Sequence, residues 1–372
     1  MANPATILLA LMKLDIGGAE THAVVLARHL KEMGYRVVMA SYGGCFEKEI
    51  ASYGVKHYRV PLHQPKISLL GKSLFALRRI VQDEKVDLIH AHARIPAFVT
   101  AIMGRPKNVR FITTAHFNFD YRYGLKYLSQ WGEKTIAVSE DIKTHLIRHF
   151  RVPAEKITVI PNGIDTASFR PDLPVERNGE VTTVTYVSRL DGELASVALN
   201  LLSAFALVFD LAPELRLVIV GDGNRRAEVE KAARDFNAAK GGEFVSMLGA
   251  RTDVNMLMAK SDLVVGVSRV ALEAMACARP VLLAGPQGFG GLLDTEKMNF
   301  FQKDNFTARL SNEKATAENL AAGLKAFLQK PAGWRVATGK VFRQLVAEEY
   351  SSLGMARKTA RVYEELLRSR PD

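Results

Sequence analysis

Ser268-Arg269-Val270-Ala271-Leu272-Glu273-Ala274-Met275-Ala276-Cys277-Ala278-Arg279-Pro280 lies between two apolar runs, Leu263-Val264-Val265-Gly266-Val267 and Val281-Leu282-Leu283-Ala284-Gly285. The whole reads as strand, helix, strand. Ser268 suits a helix N-cap, because its hydroxyl can accept from an otherwise unpaired backbone N–H. Pro280 disfavours helical backbone at the residue before it and so marks the far end. A helix in that place starts at the carboxyl end of a buried parallel strand. Open α/β sheets bind ligands there, and the orphan N–H groups of the helix favour anions. Glu273, about one turn into the helix, is within reach of such a ligand.

Working outward, the same grammar fills the chain. The 372 residues are 48% hydrophobic and 24% charged, an ordinary globular composition at a length that suggests two domains. Cys45 and Cys277 are the only cysteines, which argues against a disulfide framework and supplies no paired metal-ligand spacing. No apolar run approaches the roughly 20 residues of a membrane helix. The opening run Ile7–Met12 has no basic segment before it and leads into Gly17-Gly18, so it reads as a first strand and not as a signal peptide. The expected location is cytoplasmic.

Thr6–Met12, Arg36–Ser41, Val55–Val60, Asp87–His92, Arg110–His116, Lys134–Ser139 and Ile157–Ile160 read as strands. Between them lie helices opened by Gly17-Gly18-Ala19-Glu20, by Ser68, by Arg94 and by Ser139. The helix at Ser68–Asp83 is amphipathic, with Leu70, Leu74, Leu77 and Val81 on one face and Lys72, Arg78 and Arg79 available to the other. His90 and His92 read as structural residues that point to opposite faces of the strand and so do not act as a pair. Phe169–Glu180 is proline-rich, charged and without periodicity, and reads as a linker. Strands then resume at Val181–Val187, Leu215–Val220, Phe244–Leu248 and the opening stretch, and a charged helical tail runs from about Val341 to Arg370. Alternation of this kind implies parallel sheets covered on both faces. The expected architecture is α/β, two Rossmann-like parallel-sheet domains facing each other across a cleft: residues 1–178, residues 179–345, and a C-terminal helix at 346–372 that returns to the first domain.

Several stretches, in order, resemble the family 4 glycosyltransferases of the GT-B fold. They are Gly17-Gly18-Ala19-Glu20, Asp87–His92, Thr113–His116, Ala137-Val138-Ser139, Val159–Asp165, Ser188-Arg189-Leu190-Asp191, Val220-Gly221-Asp222-Gly223, and Glu273-Ala274-Met275-Ala276-Cys277. The resemblance implies transfer of a sugar from a nucleotide-diphosphate sugar, with retention at the anomeric carbon and no bound metal or other cofactor. It implies that the first domain holds the acceptor and the second the nucleotide-sugar. By position, Glu273 matches the carboxylate that takes the ribose hydroxyls, Arg189 the cation on the diphosphate, Gly17 and Gly18 the loop that approaches phosphate or sugar, and His116 the histidine near that sugar. The chemistry asks for these types. Leaving diphosphate charge needs preorganised cations and backbone N–H groups, and an acceptor-only carboxylate suits vicinal hydroxyls.

Two positions depart from the pattern. Leu194 stands where the family usually carries a second cation, a Lys five residues after the Arg. Val265 stands where it usually carries another Glu, eight residues before Glu273. Arg269 at the helix start and backbone N–H groups of a glycine-rich loop at Gly288, Gly290 and Gly291 are the expected replacements.

The net charge of +11 is uneven. Residues 1–178 hold 25 basic and 16 acidic groups, a balance of +9, and the remainder holds 25 and 23, a balance of +2. A basic first half suits a lipid-linked or saccharide acceptor at an anionic membrane surface, peripheral on the inner face of the plasma membrane. No nucleic-acid motif accompanies the charge. The alternatives are a nucleotide-sugar epimerase on the same architecture, or a catalytically silent nucleotide-sugar-binding protein.

Overall fold

The structure, a computed structural model, describes residues 4–176 and 181–369. The chain forms two compact units, Met1–Gly163 with Ser352–Asp372, and Ile164–Ser351.

In the first unit, β1 (Thr6–Ala10), α1 (Gly18–Glu32), β2 (Arg36–Ser41), α2 (Glu47–Ser52), β3 (Lys56–Arg59), α3 (Ile67–Asp83), β4 (Leu88–Ala91), α4 (Arg94–Ile102), β5 (Arg110–Ala115), β6 (Lys134–Ala137), α5 (Glu140–His145) and β7 (Ile157–Val159) follow one another. The sheet runs β3-β2-β1-β4-β5-β6-β7, and every pairing is parallel. Both faces are covered, which is why β1 and β4 are buried along their whole length. The strand order reverses between β1 and β4, so the carboxyl ends of those two strands flank the crevice where such sheets bind ligands.

The second unit holds β8 (Thr182–Val187), α6 (Gly192–Phe209), β9 (Leu215–Val220), α7 (Arg226–Lys240), β10 (Val245–Gly249), α8 (Val254–Lys260), β11 (Leu263–Gly266), α9 (Arg269–Ala276), β12 (Val281–Gly285), β13 (Gly288–Leu292), α10 (Met298–Gln302), α11 (Ala317–Leu328) and α12 (Ala332–Glu349). Its order is β10-β9-β8-β11-β12-β13, with the reversal between β8 and β11. The last helix, α13 (Ser352–Arg368), belongs to the first unit and packs on α1. Tyr363, fully buried, bonds His90 Nδ1 at 2.7 Å. Ser352 Oγ meets His29 Nε2 at 2.9 Å, and Arg110 Nε donates to the Leu366 carbonyl at 2.9 Å.

The structure corrects four expectations. The domain boundary expected at 178/179 lies outside the described residues, and the contacts divide at Gly163 and Ile164. Ile164, Phe169, Leu173 and Val175 all pack in the core of the second unit, because a proline-rich stretch can still bury isolated apolar side chains. The boundary expected at 345/346 falls inside α12, and the break comes at Tyr350–Ser351, where two helices meet that charge alone did not separate. Gly288–Leu292 is an antiparallel strand on β12 and not a loop. Finally, α6 is long and apolar enough to cross a membrane by length and composition. Half of it is buried, with Val197, Leu201 and Phe205 in the core of the second unit.

Candidate functional site

The candidate residues lie at the reversal point of each sheet. In the second unit, the loop after β8 is held by the loop after β9. The Ser188 N–H donates to the Val220 carbonyl at 3.0 Å, Leu190 to Asp222 at 2.9 Å, and the Asn224 N–H to Asp191 Oδ1 at 2.8 Å. A Cβ on Gly221 would lie 1.7 Å from the Ser188 carbonyl oxygen, so this close approach admits only glycine. The clamp presents Arg189, whose side chain is exposed and, among the described residues, is held by no acid or carbonyl.

On the neighbouring strand, α9 starts three residues after β11. Ser268 does not cap it. Its backbone takes φ 52° and ψ −121°, its N–H donates to the Phe306 carbonyl at 2.6 Å, and its hydroxyl faces Asn305 Nδ2 at 3.5 Å. That backbone turns the hydroxyl away from the first turn, so no capping bond forms. One turn on, Glu273 is 7% exposed, and its Oε1 pairs with Arg269 Nε at 2.7 Å. Burial raises the Glu273 pKa, and Arg269 beside it pulls the other way without cancelling the shift. Arg269 is therefore not a free cation. It is the counter-charge that makes a buried carboxylate tolerable.

The backbone of Gly288, Gly290 and Gly291 serves strand pairing. Cβ atoms on Gly288 and Gly290 would strike the Ala308 carbonyl oxygen at 2.0 Å and Leu283 Cδ2 at 2.7 Å, and Gly291 has φ 72°. These glycines are explained by packing and turning of the chain. Leu194 sits in the first turn of α6, and the cation at that turn is Arg225. Its Nη1 donates to the Gly192 carbonyl at 2.7 Å and to Ser196 Oγ at 2.8 Å, and its Nε pairs with Glu228 at 2.7 Å. Arg225 was not singled out from sequence. Its signal is its place directly after Gly221-Asp222-Gly223-Asn224.

In the first unit, Gly17 precedes α1 with extended backbone, φ −170°. A Cβ on Gly17 would meet only the end of the Glu20 side chain, and one on Gly18 would meet nothing within 4 Å. Packing does not demand either glycine, and the space beside Gly18 is open. His116, just past β5, lies 3.2 Å from His92, Nε2 to Nδ1. His92 follows β4, and His22, in the second turn of α1, completes the group with its ring centroid 4.9 Å from that of His116. His90 on β4 and His92 just past its end are two residues apart along extended backbone and so share a face, not opposite ones. Their rings lie 4.1 Å apart, against the expectation that they do not act together. Burial holds the pKa values of His90, His92 and His116 well below the usual histidine range, and the neighbouring imidazoles push the same way. Asn162 near His116 pulls weakly the other way. His22 was not singled out from sequence, being one of several buried positions along α1. Beside the group lies a cavity of about 630 Å³, lined by Leu11, Leu70, Ile95, Phe98, Phe117 and Phe119, with Glu20, Arg94 and His92 among its polar groups.

Two units, each built on a mainly parallel sheet with one reversal of strand order, fit the GT-B architecture of glycosyltransferases. Residues 16–168 match the Glycosyltransferase Family 4 domain and residues 181–327 the Glycosyl transferases group 1 domain, and the chain belongs to family 4 of the glycosyltransferases. It is an enzyme of the transferase class. It is 22% identical to the gpi3 component of the phosphatidylinositol N-acetylglucosaminyltransferase of Schizosaccharomyces pombe, over 94% of this chain and 78% of that protein. It is 27% identical to the Escherichia coli UDP-Gal:alpha-D-GlcNAc-diphosphoundecaprenol alpha-1,3-galactosyltransferase, over 65% of this chain and 69% of that one. Among solved structures, a glycosyltransferase from Rickettsia africae superposes with a TM-score of 0.77 at 21% identity, covering 99% of this chain and 100% of that one. HepE from Anabaena, solved with UDP, gives 0.72 at 18%, covering 97% and 100%.

Proposed function

We propose that the protein transfers a sugar from a nucleotide-diphosphate sugar to a lipid-linked saccharide or glycolipid acceptor, with retention at the anomeric carbon. The single observation that carries this is the placement of exposed Arg189 after β8 and of the Arg269–Glu273 pair after β11, at the carboxyl ends of two paired strands. Charge develops on the leaving diphosphate as the sugar–phosphate bond breaks, and a preorganised guanidinium stabilises it without solvent rearrangement. Arg189 fills that role in place of a metal ion. Glu273 keeps Oε2 for ribose hydroxyls while Oε1 stays on Arg269. His116 and the open space at Gly18 serve the transferred sugar. The apolar cavity beside His92 suits the acceptor's lipid portion, and Lys72 on α3 with exposed Ile67 and Phe75 suits an anionic membrane surface on the cytoplasmic side. Two similar proteins, by their names, act on phosphatidylinositol and on a diphosphoundecaprenol-linked sugar, which favours a lipid acceptor.

The test is a thermal-shift panel of UDP-, GDP-, ADP- and TDP-sugars on the wild type and on Arg189→Ala. A shift for one nucleotide that shrinks in the variant supports the reading, since a ligand that binds only the folded state raises Tm by mass action. No shift with any donor overturns it. Liposome sedimentation at low salt tests the membrane part, and equal recovery with neutral and anionic vesicles counts against it. A silent nucleotide-sugar-binding protein is the second reading. It is favoured by Arg269 being engaged with Glu273 and by Leu194 at the first turn of α6. It predicts donor binding with neither transfer nor donor hydrolysis.

A further inference from the structure

We propose that His22, His92 and His116 form a binding site for one divalent transition-metal ion of the zinc type. One ligand atom from each of the three imidazoles lies within 4.8 Å of the others. His92 Nδ1 and His116 Nε2 are already 3.2 Å apart. Zinc–imidazole bonds of about 2.0–2.1 Å in tetrahedral geometry put ligand nitrogens roughly 3.3 Å from each other. The close pair is therefore near the required spacing, and rotation of the rings brings in the third. The geometry is carried by rigid parts. His22 stands on α1, and His92 and His116 follow adjacent strands β4 and β5.

The close pair is a hydrogen bond between two imidazoles that a bound ion would replace, and each of those two rings has its other nitrogen without a partner. Those atoms, His92 Nε2 and His116 Nδ1, are buried, and buried polar groups in that condition call for an explanation. An all-imidazole set suits zinc, copper or nickel and not calcium or magnesium, which take oxygen ligands. Three protein ligands leave a fourth position for water, as in zinc sites that exchange ligands. His92 also lines the 630 Å³ cavity, which supplies the entry path. A bound ion occupies the lone pair of His116 and so lowers transfer. That consequence rests on the role proposed for His116 above, whereas the site itself does not.

The experiment uses the untagged full chain, stripped with a chelator and titrated with Co²⁺ as a spectroscopic stand-in. The expected result is one equivalent of Co²⁺ with the intense visible absorption of a four- or five-coordinate ion, displaced by Zn²⁺. His22→Gln, His92→Gln and His116→Gln should each weaken it more than tenfold, since losing even an outer partner of a metal site lowers affinity on the order of 10–100-fold. His145→Gln, in α5, should leave it unchanged. No visible absorption in the wild type, or absorption that survives all three substitutions, overturns the site. Should a glutamine variant fail to fold, the wild type decides by Tm: Zn²⁺ must raise it at micromolar concentration, and an unchanged Tm overturns the proposal. Nucleotide-sugar binding is scored separately on the metal-free protein. Its failure there sinks the donor reading and leaves the cobalt titration to judge the metal site alone.

Discussion

The loops after the first strand of each unit are built alike and used differently. Lys13-Leu14-Asp15 follows β1 and Arg189-Leu190-Asp191 follows β8. A Cβ on Gly44 would lie 2.4 Å from the Leu14 carbonyl carbon, and a Cβ on Gly223 would lie 2.4 Å from that of Leu190. Each unit thus clamps its first loop with a glycine from the next strand's loop and reverses strand order beside it. What stands at the reversal is unlike. The first unit places uncharged imidazoles beside an apolar cavity, and the second an exposed guanidinium after one strand and an ion pair after its neighbour. The backbone sets where a ligand meets each sheet, and a handful of side chains sets what the ligand is.

The largest effect should come from the charged side. Glu273→Ala removes the carboxylate from a pair whose Arg269 is only partly buried, so the loss should lie at or below the roughly 3–5 kcal/mol of breaking a fully buried pair. Urea unfolding should show that loss. Replacing both residues by apolar ones, Arg269→Met with Glu273→Leu, should recover most of the stability and none of the donor binding. A double variant that still binds nucleotide-sugar would erase the contrast between the two units.

Arg189→Ala separates function from stability on the same rim. The side chain is exposed and unheld, so unfolding free energy should stay within about 0.5 kcal/mol of the wild type. If Arg189 stabilises the leaving diphosphate, kcat should fall roughly 10²–10³-fold, the range for losing one preorganised donor. A fall in stability with unchanged kcat would move Arg189 from chemistry to packing.

Much of this contrast was legible in the sequence. The stretch Ser268–Pro280 reads correctly as strand, helix and strand, because two Val/Leu runs around an apolar helix that a proline ends have few other solutions. Glu273 and Arg189 were named through the resemblance of their stretches, and the structure puts them past the carboxyl ends of the paired strands β11 and β8. Gly288–Gly291 was not legible, since four residues poor in side chains carry no strand signal. The strand forms because β12 offers an edge and Phe289 and Leu292 find buried positions. The meeting of His22 with His92 and His116 was hidden for a different reason. It depends on three elements converging, which no spacing along the chain records.

The histidines make the first unit acid-sensitive. The pKa values of His90, His92 and His116 are lowered in the folded state from an ordinary 6.5, chiefly by burial. Below that pH the unfolded chain takes protons that the folded chain refuses. Their contribution is intact above about pH 6.5 and falls as pH drops, by roughly 1.4 kcal/mol per unit for each histidine. Glu273 works the other way, because its folded pKa is raised. Its contribution is intact below the ordinary 4.5 and shrinks as pH rises. Urea unfolding of metal-free protein between pH 7 and pH 5.5 should show the histidine slope, and His92→Gln should flatten it by one proton. An unchanged slope would mean that His92 is protonated as readily folded as unfolded.

The smallest effect tests the backbone of the charged side. Ser268 holds φ 52° between β11 and α9, a region that costs a residue with a Cβ on the order of 1–3 kcal/mol. Gly17, before α1 in the first unit, is extended at φ −170° and carries no such strain. Ser268→Gly should relieve the strain while losing only a weak 3.5 Å contact to Asn305. Glycine's greater freedom in the unfolded chain offsets about 0.5–1 kcal/mol of the gain. A net stabilisation of about 1 kcal/mol is expected, measured by urea unfolding. Donor affinity then reads what the strain is for. If Ser268 only connects strand to helix, affinity should be unchanged. If the turn holds the first N–H groups of α9 in position for phosphate, the more stable variant should bind nucleotide-sugar more weakly. Stability and affinity moving in opposite directions would mark the strain as part of the site.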